Sequence, residues 1–92
     1  MQNGQRTDES IRWEIKRLIA AVTEREPEEV LDDASFGDDL GVDSLMAMEV
    51  MVAIDKKFRI DIPEEEFVKA TNVEQAVAMV RRYLPEPSAM TA

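Results

Sequence analysis

Only one stretch of this 92-residue chain, Arg59-Ile60-Asp61-Ile62-Pro63, alternates in polarity as a strand does, and it has nothing to pair with. A lone strand leaves its backbone donors and acceptors without partners. Pro63 followed by Glu64, Glu65 and Glu66 suits instead the start of a short helix, with proline at the first helical position and acids in the first turn. The other apolar residues fall at helical intervals. Ile11, Ile15, Leu18, Ile19 and Val22 form one stripe, with Thr7 or Asp8 as its cap and Pro27 just past its end. Trp13 lies off this stripe, as a partly exposed packing residue would. Val73, Ala76, Val77, Val80 and Leu84 form a second stripe, opened at Thr71 or Asn72, each of which has a capping-box partner three residues on. The expected fold is all-α: a small four-helix bundle with a long loop between helices 1 and 2 and a short third helix.

The second helix is expected from about Ser44 to Phe58, and it is apolar on two faces. Ala47, Val50, Met51, Ile54 and Phe58 have the spacing of a core stripe. Leu45, Met48 and Val52 form another, turned away from the first, and Ser44 projects near the edge between them. Such a helix is either packed on both sides or offers one side to a partner. Periodicity leaves both open. Before it runs a 16-residue connection, PEEVLDDASFGDDLGV, long for so small a domain and of a kind that is often functional. Val30, Leu31, Phe36 and Leu40 are expected to pin this loop to the core, and Gly37 and Gly41 to supply positive backbone φ angles. A single domain over residues 8–84 is expected, between flexible ends at 1–7 and 85–92.

Composition narrows the chemistry. The chain contains no Cys and no His. A disulfide framework, a thiolate metal site, an imidazole base and a Ser-His-Asp triad are all impossible. Carboxylates alone can hydrolyse glycosides, but a domain of this size has little room for the cleft. No catalytic residues are assigned. Metal binding fares no better. In the aspartate-rich loop no register puts glycine sixth and glutamate twelfth, as a calcium loop requires. Glu64, Glu65 and Glu66 are consecutive, so on a helix they point apart. No apolar run is long enough to span a bilayer and none resembles a leader peptide, so a cytoplasmic monomer that neither inserts in a membrane nor binds nucleic acid is expected.

The charge distribution points towards a partner. Residues 1–26 balance five acids against five bases, whereas Glu28 to Asp55 hold nine acids and no base. An acidic face excludes phosphate backbones and attracts a basic protein surface.

Within that acidic stretch, Ser44 opens the second helix. A serine there is a helix cap, a nucleophile or an attachment point, and capping is the commonest of the three. The surrounding residues carry a resemblance. Asp38-Asp39-Leu40-Gly41-Val42-Asp43-Ser44-Leu45, then Phe58-x-Ile60-x-Ile62-Pro63 followed by Thr71-x-x-Glu74, is similar to the acyl carrier proteins over roughly Ile11 to Leu84. The resemblance implies that Ser44 carries 4′-phosphopantetheine, moved from coenzyme A by a separate phosphopantetheinyl transferase, with Asp43 and Leu45 flanking it. It implies a non-catalytic carrier that holds acyl groups as thioesters for fatty acid, polyketide or specialised lipid synthesis, the cofactor supplying the missing sulfur. Asp38, Asp39, Met48, Glu49, Val52 and Asp55 would meet basic patches on transferase, synthase and reductase partners. Val50, Ile54, Phe58 and Ile62 would line an acyl pocket. Two features depart from carriers of primary fatty acid synthesis: Met46 stands where an acid is common, and Asp55-Lys56-Lys57 stands where glutamates often run. The alternatives are a peptidyl or aryl carrier, and a helical adaptor with the same fold that is never modified.

Overall fold

The computed structural model describes residues 7–84. The flexible ends expected at 1–7 and 85–92 lie outside the described residues, except for Thr7, which caps the first helix. Four α-helices and one 3-10 turn follow in order: α1 Asp8–Thr23, the turn Pro27–Glu29, α2 Ser44–Phe58, α3 Glu64–Phe67 and α4 Val73–Tyr83. Among the described residues there is no strand, and Ile60 to Pro63 run as an irregular link.

Each start is marked by a side chain. The Thr7 hydroxyl accepts from the Ser10 N–H at 3.0 Å while Ser10 Oγ accepts from the Thr7 N–H at 3.1 Å, a capping box with serine in the acid's place. Asn72 opens α4, its side chain accepting from the Gln75 N–H at 2.9 Å. Thr71, the other candidate, is held in turn by the Gln75 side chain, which accepts from its N–H at 2.8 Å. Pro63 sits one position earlier than expected, just before α3 rather than inside it. The ends are less regular. Glu24 and Arg59 close α1 and α2 in the left-handed region, at φ 59° and 58°, a conformation that costs a non-glycine residue on the order of 1 kcal/mol.

α1 packs against both α2 and α4. Ile11, Ile15 and Ile19 on α1, Val50, Ile54 and Phe58 on α2, and Val73, Val77 and Val80 on α4 are buried together. Leu18, Val22 and Leu84 lie only partly buried against that core, while Met79 joins it fully. The long loop is tied down by Val30 and Leu40, both buried, and by Phe36, partly so. Leu31 departs from expectation and is 60% exposed. Val30 has extended backbone dihedrals, and side chains of adjacent extended residues point to opposite sides, so only one can face inward. Gly41 adopts the expected positive φ, at 71°, but Gly37 does not.

An ion cluster fixes the middle of the loop. Asp32 lies 2.6 Å from Lys16 and 3.4 Å from Arg12 of α1, and Arg12 reaches Glu74 of α4 at 3.3 Å. The Asp32 carbonyl also accepts from the Glu74 N–H, and the Thr71 carbonyl from the Phe36 N–H. The loop is thereby fastened to the start of α4. Lys16 holds the Asp32 carboxyl below its ordinary pKa against the opposing effect of burial. Burial works to lower the Arg12 pKa, but the Glu74, Asp32 and Glu9 carboxylates outweigh it, so the guanidinium is held the more firmly charged.

Two outcomes test this packing. Ile54→Ala removes a side chain with no exposed surface and is expected to cost about 2–5 kcal/mol, read from the urea midpoint at unchanged slope. Asp32→Asn is expected to cost about 1 kcal/mol at neutral pH, a modest figure because solvent screens a partly exposed pair. A lowered folded pKa gives stability that is full above the unfolded value of about 4 and lost as pH falls through the folded one. The gap between Asp32→Asn and the unaltered chain should therefore close below that range in pH-dependent urea melts.

Candidate functional site

The cap of α2 decides what Ser44 is free to do. Asp43, not Ser44, occupies the cap position, in extended backbone, and its carboxylate accepts from the Met46 N–H at 2.9 Å. The Asp43 carbonyl accepts from the Ala47 N–H at 2.9 Å, closing the first turn. Ser44 is then the first helical residue. It is exposed, and its hydroxyl forms no hydrogen bond with any described residue. Serine and aspartate cap with similar strength, so whichever residue takes the extended position releases the other. Here the aspartate has taken it.

The turn that delivers Asp43 is built from the same acidic run. Asp39 Oδ2 accepts from the Ser35 N–H at 2.8 Å, and the Ser35 hydroxyl accepts from the Asp38 N–H at 3.2 Å. Backbone bonds from Leu40 to Ser35, Gly41 to Gly37 and Val42 to Phe36 complete a compact turn. The two aspartates therefore differ: Asp39 is engaged within the turn, while Asp38 is exposed and its carboxylate carries no such bond.

Beside Ser44 opens a cavity of about 410 Å³, within the range of small-molecule sites. Ser44, Asp43 and Asp38 border it, and its walls include Phe36, Val42, Ala47, Val50, Phe67 and Val68. Of the four residues expected to line an acyl pocket, the structure puts Val50 on this cavity. Ile54, Phe58 and Ile62 are buried in the core and not on its wall. Ile54 is ten residues past Ser44, about 15 Å along the helix. The loop and α3 share the wall with the first turns of α2. Phe36 and Phe67, at the start of the turn and the end of a very short helix, reach the wall without having been singled out for it in the sequence.

The outer face of α2 is open. Leu45 is 70% and Val52 49% exposed. Met48 is half-buried between them and Glu49 is exposed. The choice left by periodicity is thus resolved towards a helix with one uncovered apolar stripe. Asp55 behaves differently from the other expected docking residues. It is half-buried, and Oδ1 accepts from the Ile62 N–H at 3.2 Å, bracing the link to α3. Burial pushes its carboxyl pKa up. Among the described residues no cluster of acids could hold a metal ion, and Glu66 is turned to Lys69 and Arg82, each at 3.5 Å.

With this geometry established, likeness to other proteins becomes informative. Residues 13–80 match the phosphopantetheine attachment site family, and the chain belongs to it. It is similar in structure to the acyl carrier protein of Enterococcus faecalis, known for high thermal stability, with a TM-score of 0.71 and 26% identity over 85% of this chain and 99% of that one. It also resembles a doublet acyl carrier protein from prodigiosin biosynthesis, solved in solution in its apo form. There the TM-score is 0.73 with 20% identity, over 87% of this chain and 38% of that longer one. The chain is a carrier with a phosphopantetheine attachment site and no catalytic activity of its own; a phosphopantetheinyl transferase and cargo-handling enzymes are its partners by class.

The residues present suit that cofactor. An exposed, unbonded hydroxyl at Ser44 could be joined to the arm's phosphate without breaking a cap. The first N–H groups of a 15-residue helix and its dipole favour negative charge at that end. The mainly apolar cavity alongside would give space for what the arm carries. Asp43→Ala is expected to destabilise the fold by about 1 kcal/mol, and Asp43→Asn by much less because asparagine also caps. Thermal melts of the two variants check this order.

Proposed function

We propose that this chain is a discrete acyl carrier protein in which Ser44 bears 4′-phosphopantetheine. The observation that carries the proposal is the division of roles at the start of α2: Asp43 caps the helix and Ser44 presents a free hydroxyl beside an apolar cavity. When bound, the cofactor supplies the terminal thiol that holds an acyl group as a thioester. The rest falls to the chain. Asp43 and the turn behind it hold the Ser44 hydroxyl outward at a fixed point, and the helix N-terminus favours the phosphate's charge. Phe36, Val42, Val50 and Phe67 shelter apolar cargo from water. Leu45, Met48 and Val52 form the apolar strip that partner enzymes meet, with Asp38 and Glu49 attracting their basic residues.

An acyl rather than aminoacyl cargo is supported by the cavity. Its walls are mainly aliphatic or aromatic, with Ser35, Asp38, Asp43, Ser44, Glu64 and Thr71 as the polar residues that border it. An aminoacyl group would set an ammonium against that wall at a desolvation cost. A dedicated polyketide or lipid pathway is favoured by Met46 and by Lys56 and Lys57, which interrupt the acidic pattern of α2.

Incubation with coenzyme A and a broad-specificity phosphopantetheinyl transferase, followed by intact mass, tests attachment. One phosphopantetheine is expected on the unaltered chain and none on Ser44→Ala. The adaptor reading predicts no addition to either. Loading the product from acyl donors and from aminoacyl or aryl donors then tests the cargo, and exclusive aminoacyl or aryl loading would contradict the acyl assignment.

A further inference from the structure

We propose that the open face of α2 selects its partner enzyme through charges of both signs, with Lys56 the residue that sets the choice. This rests on the reading of the chain as a carrier that docks through α2. A shallow depression of about 400 Å³ runs along that face, lined by Met48, Glu49, Val52, Ala53 and Lys56. Its floor is apolar and its two ends are oppositely charged. Glu49 and Lys56 are both exposed, and neither forms an ion pair with a described residue.

The neighbours of Lys56 are accounted for within the fold. Lys57 pairs with Glu14 of α1 at 3.6 Å, and Asp55 turns inward to the Ile62 N–H. Of the run Asp55-Lys56-Lys57, only Lys56 borders the depression and has no partner among the described residues. Both lysines stand in the last turn of α2, where positive charge suits the helix dipole. The dipole accounts for a lysine there but not for one bordering an apolar groove opposite an unpaired acid.

Glu49 and Lys56 are seven residues apart, two helical turns or about 10.5 Å along the axis. Val52 and Ala53 lie midway. The matching surface carries an apolar side chain over Val52, a base facing Glu49 and an acid facing Lys56. A partner with bases at both ends would set one of them against Lys56 and be rejected. A second copy of α2, laid antiparallel, also matches this pattern. The net charge of −9 on each chain opposes that pairing and favours a partner enzyme.

Two helical peptides provide the test, identical except at one position. Each has arginine placed to face Glu49 and leucine to face Val52; one has glutamate facing Lys56 and the other arginine. Each is titrated at low salt into the isotopically labelled full chain, following backbone amide shifts. The mixed-charge peptide is expected to bind about three- to tenfold more tightly, the scale of one exposed ion pair changed from repulsion to attraction. Shifts should centre on Met48, Val52 and Ala53, and Lys56→Glu should reverse the order without changing helix content. Tighter binding of the all-basic peptide, no binding of either, or the same order in Lys56→Glu would overturn the proposal. So would a concentration-dependent dimer, seen in sedimentation, that Lys56→Glu abolishes. Attachment of phosphopantetheine to Lys56→Glu is measured separately, so a failed carrier reading and a failed docking rule are told apart.

Discussion

The short bond from the Met46 N–H to the Asp43 carboxylate is the interaction on which the working end of this molecule depends. A helix start leaves several backbone donors open, and one side chain must answer them. Two good candidates stand side by side here. Because Asp43 adopts the extended cap conformation, Ser44 enters the first turn and its hydroxyl is left to solvent. The same residue types in the opposite order would bury the hydroxyl's hydrogen-bonding capacity in the helix end.

That arrangement has to be delivered by a loop of twenty residues between α1 and α2, broken only by one 3-10 turn. Its order comes from few points. Val30 and Leu40 are buried, Asp32 is held between α1 and α4 by Lys16 and Arg12, and Asp39 closes the turn on Ser35. Acids in this stretch thus serve two ends. Asp32, Asp39 and Asp43 shape the loop, whereas Asp38 and Glu49 have no such engagement and face outward. A net charge alone would not separate these roles, because hydrogen bonding with the backbone is invisible in a count of carboxylates.

Much of the bundle was legible in the sequence because helical periodicity reports burial directly. The bounds of α2 and most of the inward sets on α1 and α4 (Ile11, Ile15 and Ile19; Val73, Ala76, Val77 and Val80) follow from spacing alone. The loop was less legible. Val30 and Leu31 are equally apolar, and only the extended backbone between them decides that Leu31 faces solvent. Gly37 and Gly41 are equally permissive, and only the turn's hydrogen bonds require a positive φ of Gly41. At the site, Ser44 stood out through its surroundings, but aspartate and serine cap about equally well, so propensity could not assign the cap to Asp43. Val50 was legible as cavity wall because it lies near Ser44 on the inner face. Phe36 and Phe67 were not, since their approach depends on how the loop and α3 fold back over α2. The resemblance implies Asp55 as a docking acid, and its position near the helix end also lets it accept from the Ile62 N–H of the following link.

The central claim is that Asp43 serves the helix so that Ser44 can serve the cofactor. The most direct test is fragmentation mass spectrometry of peptides from the chain after reaction with coenzyme A and the transferase. The account predicts the added phosphopantetheine on Ser44 alone, with Ser35, the other serine bordering the cavity, unmodified. Addition at Ser35, or at no serine in a folded chain exposed to an active transferase, would contradict it.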